Sequence, residues 1–180
     1  DAITLLAEIG YRGIAITLDH GALNPYDERT AAQLPQVADT LQRLQFRVVI
    51  ETGCRFLLDP RNKHEPTLVS PAAEDRGRRV EFLCRAIDIA AALQADCVCL
   101  WSGVVHDGAG DRAAMDRLVT GLHPVLEHAG LKGVTLAFEP EPGMLIDTMA
   151  RYGDLLSELA ARRIDASPLQ LTLDIGHLHC

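Results

Sequence analysis

Glu139 and Asp174 each close a short apolar run, Val134-Thr135-Leu136-Ala137-Phe138-Glu139 and Leu171-Thr172-Leu173-Asp174, about one βα unit apart. His177 follows Asp174 by three residues. Two carboxylates and an imidazole are the oxygen and nitrogen donors that a divalent cation takes. In α/β folds ligands bind outside the carboxyl ends of parallel strands, so side chains ending two strands can converge on one rim. A charge buried at the end of an apolar strand is costly, so Asp174 calls for a cation, an Arg or several backbone donors. The plainer reading makes Glu139 and Asp174 helix or turn caps. Glu141, set between Pro140 and Pro142, is the runner-up carboxylate.

A second group of chemically capable residues lies upstream. The segment Glu51-Thr52-Gly53-Cys54-Arg55-Phe56-Leu57-Leu58-Asp59-Pro60-Arg61-Asn62-Lys63-His64 follows a strand and is long for a βα loop. Long rim loops often close over substrates. Arg55, Arg61, Lys63 and His64 offer donors to a phosphate or to sugar hydroxyls, and a solvated basic loop is the alternative. Trp101, after Cys97-Val98-Cys99-Leu100, could stack on a sugar face or simply pack. Glu51, His20 and His106 also follow strands, with weaker claims on function. His179 alternates with His177 and is left outside the site.

These residues need strands that end together. Leu5, Leu6 and Ile9 before Gly10 read as a helix with a glycine stop, and Gly13 to Leu18 as a strand. Leu34, Val37, Ala38, Leu41 and Leu44 recur at helical spacing over 28–45, and Arg47 to Ile50 is the next strand. A helix from about Pro71 to Gln94, with Val80, Leu83, Cys84, Ile87 and Ala91 inward, precedes a strand from Cys97 to Trp101. Helical 111–129, strand 134–138, helix 146–162 and strand 169–173 complete the pattern. Strands alternating with helices require a parallel sheet, hence the α/β class. No glycine-rich phosphate loop follows the first strand, which disfavours an open dinucleotide-binding sheet.

Composition sets the bounds. The chain has 180 residues, 48% of them hydrophobic, which suits one folded domain over 1–180. With 17 basic and 25 acidic residues its formal charge is −8, which opposes general attraction to nucleic acid or anionic lipid. No apolar stretch reaches the roughly 20 residues of a membrane helix. Five cysteines, an odd number placed mostly in apolar runs, fit a reducing cytoplasm better than a disulfide scaffold. Cys97 and Cys99 read as small buried hydrophobes. A complete eight-stranded barrel takes about 250 residues, so a sequence from Asp1 to Cys180 is expected to hold only part of one.

Leu136-Ala137-Phe138-Glu139-Pro140, Leu173-Asp174-Ile175-Gly176-His177 and Glu8-Ile9-Gly10-Tyr11-Arg12-Gly13-Ile14 resemble the xylose isomerase-like TIM-barrel superfamily, which includes sugar phosphate isomerases and epimerases. The resemblance implies a partial (β/α)8 barrel holding about strands 2 to 6. It implies Glu139 as metal ligand and proton-transferring base, Asp174 as a second ligand, and His177 as a ligand or a substrate contact. The ligands so implied call for a divalent ion: an oxygen-rich set suits Mn, Mg or Co, and mixed His/carboxylate ligation also admits Zn. The implied partner is a small-molecule sugar or sugar phosphate, with His177 as an implied contact and Arg55, Lys63, His64 and Trp101 as the contacts expected from the loop and strand-end reading above; self-association into a homo-oligomer is left open. A metal-dependent phosphodiesterase resembling the apurinic endonucleases is the alternative, disfavoured by the acidic balance and by the lack of extra His ligands around Leu100-Trp101-Ser102-Gly103. A non-catalytic fragment or binding protein is the third reading.

Overall fold

The computed structural model describes residues 2–179, with the side chains of Leu178 and His179 outside the description. Asp1, Cys180 and the side chain of His179, all considered above, therefore lie outside the described residues. Five strands, β1 (Gly13–Thr17), β2 (Arg47–Glu51), β3 (Cys97–Leu100), β4 (Leu136–Phe138) and β5 (Leu169–Leu171), form one parallel sheet in chain order. Helix α1 (Ala2–Ile9) precedes β1, and α2 (Glu28–Arg43), α3 (Ala73–Leu93), α4 (Asp111–Lys132) and α5 (Met149–Ala161) connect the strands. A doubly wound sheet reverses its strand order at a switch point. This one never does, so the winding is that of a barrel wall.

Register explains how the sheet separates its two faces. Ile16, Ile50, Val98, Leu136 and Leu169 are successive partners across all five strands and form one buried apolar row. With period two, Leu18, Val48, Leu100 and Phe138 fall on the same face and are buried as well. They pack with Phe82, Leu83, Ala86 and Ile87 of α3 and Leu118, Leu122, Val125 and Leu126 of α4 in one core cluster. Each such side chain taken from water contributes about 1.5–3 kcal/mol. The neighbouring row, Thr17, Glu51, Cys99, Ala137 and Gln170, points to the other face, as does Ala15-Val49-Cys97 one layer down. That face carries the polar groups and leads up to the candidate site.

Several boundaries differ from the periodicity reading. Helix α1 ends as expected at Gly10, whose φ of +109° lets its N–H reach back to the Leu6 and Ala7 carbonyls. Helix α3 buries Arg79, Phe82, Leu83, Ala86, Ile87, Ala90 and Leu93, whereas Val80, Cys84 and Ala91 are only half-buried. Contact with both α2 and α4, not a single apolar stripe, sets that face. Strand β5 stops at Leu171, and Leu173 and Ile175 are exposed. Among the described residues β5 has β4 as its one strand neighbour, so nothing extends the ladder along its far edge.

Candidate functional site

Glu139 is held in the ladder just past β4, its N–H donating to the Leu100 carbonyl at 2.9 Å. Two residues beyond Ala137, it continues the polar face of the sheet. On the adjacent strand Thr172 N–H donates to the Phe138 carbonyl at 2.8 Å, after which the chain turns. Asp174 makes that turn: its Oδ1 accepts the Gly176 N–H at 2.6 Å and its carbonyl accepts the His177 N–H at 3.2 Å. The short 3-10 helix Gly176–His179 begins there. His177 is thereby swung back over the end of β4.

The three side chains meet. His177 Nδ1 lies 3.4 Å from Glu139 Oε1 and Nε2 lies 3.7 Å from Asp174 Oδ2. One donor atom from each of Glu139, Asp174 and His177 falls within 4.8 Å of the others. His177 Nδ1 is buried and has no hydrogen-bond partner, a state that costs free energy unless something else satisfies the nitrogen. Two carboxylates and an imidazole with an orphaned nitrogen fit a divalent cation of the Mn, Mg, Co or Zn type. Burial pushes the Glu139 carboxyl above its usual range, and nearby Glu141, Asp174 and Glu51 add to this while His177 opposes it. A site crowded with like charge in this way favours a bound cation.

Asp174 departs from the expectation of a buried strand end. Its side chain is 45% exposed and three residues past β5, so the cost of a buried charge is not what points to a ligand there. Convergence with Glu139 and His177 does. Glu141 is half-buried, and its backbone N–H donates to the Ile146 carbonyl.

Beside this cluster the end of β2 opens a cavity of about 490 Å³ whose walls include Glu51, Arg55, Lys63, His64 and Trp101. Of the upstream candidates, Arg55, Lys63, His64 and Trp101 therefore share one space with Glu51, which acts electrostatically on Glu139. The His64 ring meets the Trp101 ring edge-on at 5.9 Å, and His64 Nδ1 is hydrogen-bonded to the Gly53 carbonyl. Arg55 is exposed and pairs with Asp19 at 3.4 Å. The segment is folded back on the β3 loop: Glu65 meets His106 at 3.1 Å, and Thr67 occupies the space beside Gly103. His20 and Arg61 are exposed and lie outside the cavity lining, and Cys99 is buried with its Sγ 3.6 Å from Thr172 Oγ1. A larger groove of about 1180 Å³ between α4 and α5 is lined by ion pairs such as Arg151–Asp111 and includes none of the candidate site residues.

Sequence reading passed over Arg79. It is 1% exposed, donates to the Thr52 carbonyl at 2.8 Å and to Cys54 Sγ at 3.2 Å, and stacks 4.7 Å from the Trp101 ring centre. In Arg76-Gly77-Arg78-Arg79 it looks like one more solvated helix charge. No local signal separates it from its neighbours.

The family model of the xylose isomerase-like TIM barrel matches residues 3–180. The chain belongs to that family. A search of curated proteins gives no match. Solved structures similar to this xylose isomerase-like chain include a protein from Sinorhizobium meliloti 1021, at 24% identity and TM-score 0.70 over 98% of this chain and 57% of that one. D-allulose 3-epimerase from Methylomonas sp., in complex with D-allulose, matches at 20% identity and TM-score 0.75 over 99% and 57% of the respective chains. L-ribulose 3-epimerase matches at 22% identity and TM-score 0.73 over 99% and 54%. The chain thus spans a little over half the length of these relatives and forms a partial TIM barrel. Among the described residues no helix is long and apolar enough to cross a membrane.

Proposed function

We propose that this protein is a divalent-metal-dependent isomerase or epimerase acting on a sugar or sugar phosphate. The observation that carries the reading is the convergence of Glu139, Asp174 and His177 within 4.8 Å, with His177 Nδ1 buried and unpartnered. Glu139, Asp174 and His177 would hold the ion. A divalent ion there supplies polarisation of adjacent carbonyl and hydroxyl oxygens. The likeness to 3-epimerases of D-allulose and L-ribulose supports ketoses as the first compounds to test.

The chain's own residues divide the remaining work. Glu139, with its carboxyl raised by burial, is suited to take a proton from carbon and return it. His177 donates a hydrogen bond to a substrate oxygen if it is not itself a ligand. Trp101 offers a ring to the apolar face of a sugar. Arg55, Lys63 and His64 donate to hydroxyls or a phosphate, and residues of the folded-back 51–70 segment form much of the cavity wall. Epimerisation also needs an acid or base on the opposite face of the carbon.

The test is a screen of the intact protein against ketoses and their phosphates with Mn²⁺, Mg²⁺, Co²⁺ and Zn²⁺, followed by NMR of the products. Metal-dependent interconversion abolished by Glu139→Gln is the expected result. Absence of metal binding in calorimetry would sink the reading.

A further inference from the structure

Arg79 occupies a place where an apolar side chain would be less costly. Its guanidinium is buried, and among the described residues no carboxylate lies within ion-pair distance of it. The charge is met by the Thr52 carbonyl, the Cys54 sulfur and two aromatic faces, Trp101 at 4.7 Å and Phe82 at 5.3 Å, with the Glu65 carboxylate acting on it only from beyond ion-pair distance. Cation–π contacts and hydrogen bonds to neutral groups offset only part of the desolvation of a cation. A methionine of similar length would fill the same volume without that cost.

What the guanidinium provides is geometry. Its planar fork grips the backbone just where β2 runs out: Thr52 Oγ1 is bonded to the Cys99 carbonyl at 2.6 Å, and Cys54 and Arg55 take φ of 44° and 47°, values that side-chain-bearing residues rarely adopt. The same group lies under the Trp101 ring. Gly53, Arg55 and Trp101 all line the 490 Å³ cavity. One buried cation from α3 thus touches both the segment that presents the basic wall and the indole that forms the aromatic wall.

We propose that Arg79 is a positioning residue that fixes the Thr52–Cys54 turn and the Trp101 indole, and so sets the shape of the cavity at the β2 and β3 ends. The inference rests on reading that cavity as the ligand pocket only for its kinetic consequence.

Trp101 is the only tryptophan of the sequence, so its fluorescence reports the wall directly. Arg79→Met removes the charge and both hydrogen bonds, and Arg79→Lys keeps the charge and loses the fork. In the ligand-free protein acrylamide quenching of Trp101 is expected to rise at least twofold in Arg79→Met and by an intermediate amount in Arg79→Lys, with cooperative melting retained. For a sugar that the wild type converts, KM should rise at least fivefold while kcat changes less than twofold. Wild-type quenching in a folded Arg79→Met variant would overturn the inference, as would a fall in kcat at constant KM. Failure of both variants to fold would also overturn it, since Arg79 would then serve the core alone. If no sugar is converted or bound by the wild type, the substrate reading of the cavity fails, while the quenching comparison still decides the role of Arg79.

Discussion

His177 Nδ1 and Glu139 Oε1 stand 3.4 Å apart, close enough to share an ion yet without a hydrogen bond that satisfies the buried nitrogen. Glu139→Gln separates ligation from folding at this pair. The amide keeps the shape and one oxygen but loses the negative charge, so Mn²⁺ affinity should fall at least about tenfold. Burial already disfavours the carboxylate, so the metal-free variant should melt at the wild-type temperature or slightly above it. Titration calorimetry and thermal melts of metal-free protein check both halves, and unchanged metal affinity removes Glu139 from the ligand set.

His177→Ala probes the other partner. The side chain is about one-third exposed and its Nδ1 holds no hydrogen bond, so its loss should change stability by less than about 1 kcal/mol. Metal or sugar affinity should nevertheless drop by an order of magnitude or more. A variant indistinguishable from wild type in urea unfolding, metal titration and sugar binding would make His177 an ordinary turn residue.

Alternation of apolar runs with amphipathic stretches sufficed for the element order because each parallel strand needs a long return connection and each helix here buries one face. Glu139 was legible as a candidate because β4 is short, apolar and followed at once by this carboxylate, and His177 because it follows the carboxylate of Asp174 by three residues. The environment of Asp174 was not: the apolar run through Leu173 reads as strand, and only sheet pairing shows that β5 stops at Leu171. Arg79 was invisible for a related reason. A charge on a helix is solvated by default, and burial of this one depends on Trp101 and the 52–54 turn, which approach from distant parts of the chain.

Gly103→Ala tests how tightly the long segment is seated on the β3 loop. Gly103 has φ of +95°, and a Cβ there would lie 2.4 Å from the Thr67 side chain. Left-handed strain and overpacking act together, so the variant should lose about 2–4 kcal/mol. Thr67→Ala in the same background removes the Oγ1 and Cγ2 contacts but keeps the Thr67 Cβ at 2.4 Å, so it should recover only a small part of the loss. A Gly103→Ala protein as stable as wild type in urea titration would show that the loop is free to move away.

Asp27 gives the fold a defined acid response far from the proposed ligands. It caps α2 by accepting the Arg29 N–H at 2.9 Å, and its carboxylate meets the Arg29 guanidinium at 2.6 Å. These contacts, the side-chain hydrogen bonds from Arg29 foremost, hold the carboxyl at about 2 against an ordinary value of 3.8. A carboxyl depressed in the folded state stabilises it fully above the unfolded value and loses that contribution as pH falls through the folded one. Asp27→Asn keeps a capping oxygen without the charge. It should therefore melt below wild type at pH 7, and the gap should narrow from about pH 4 and vanish near pH 2. The pair is exposed, so added salt should shrink the gap at pH 7. Thermal melts of both proteins across that range, at low and high salt, decide it: a gap that is constant with pH would mean that the cap oxygen alone matters.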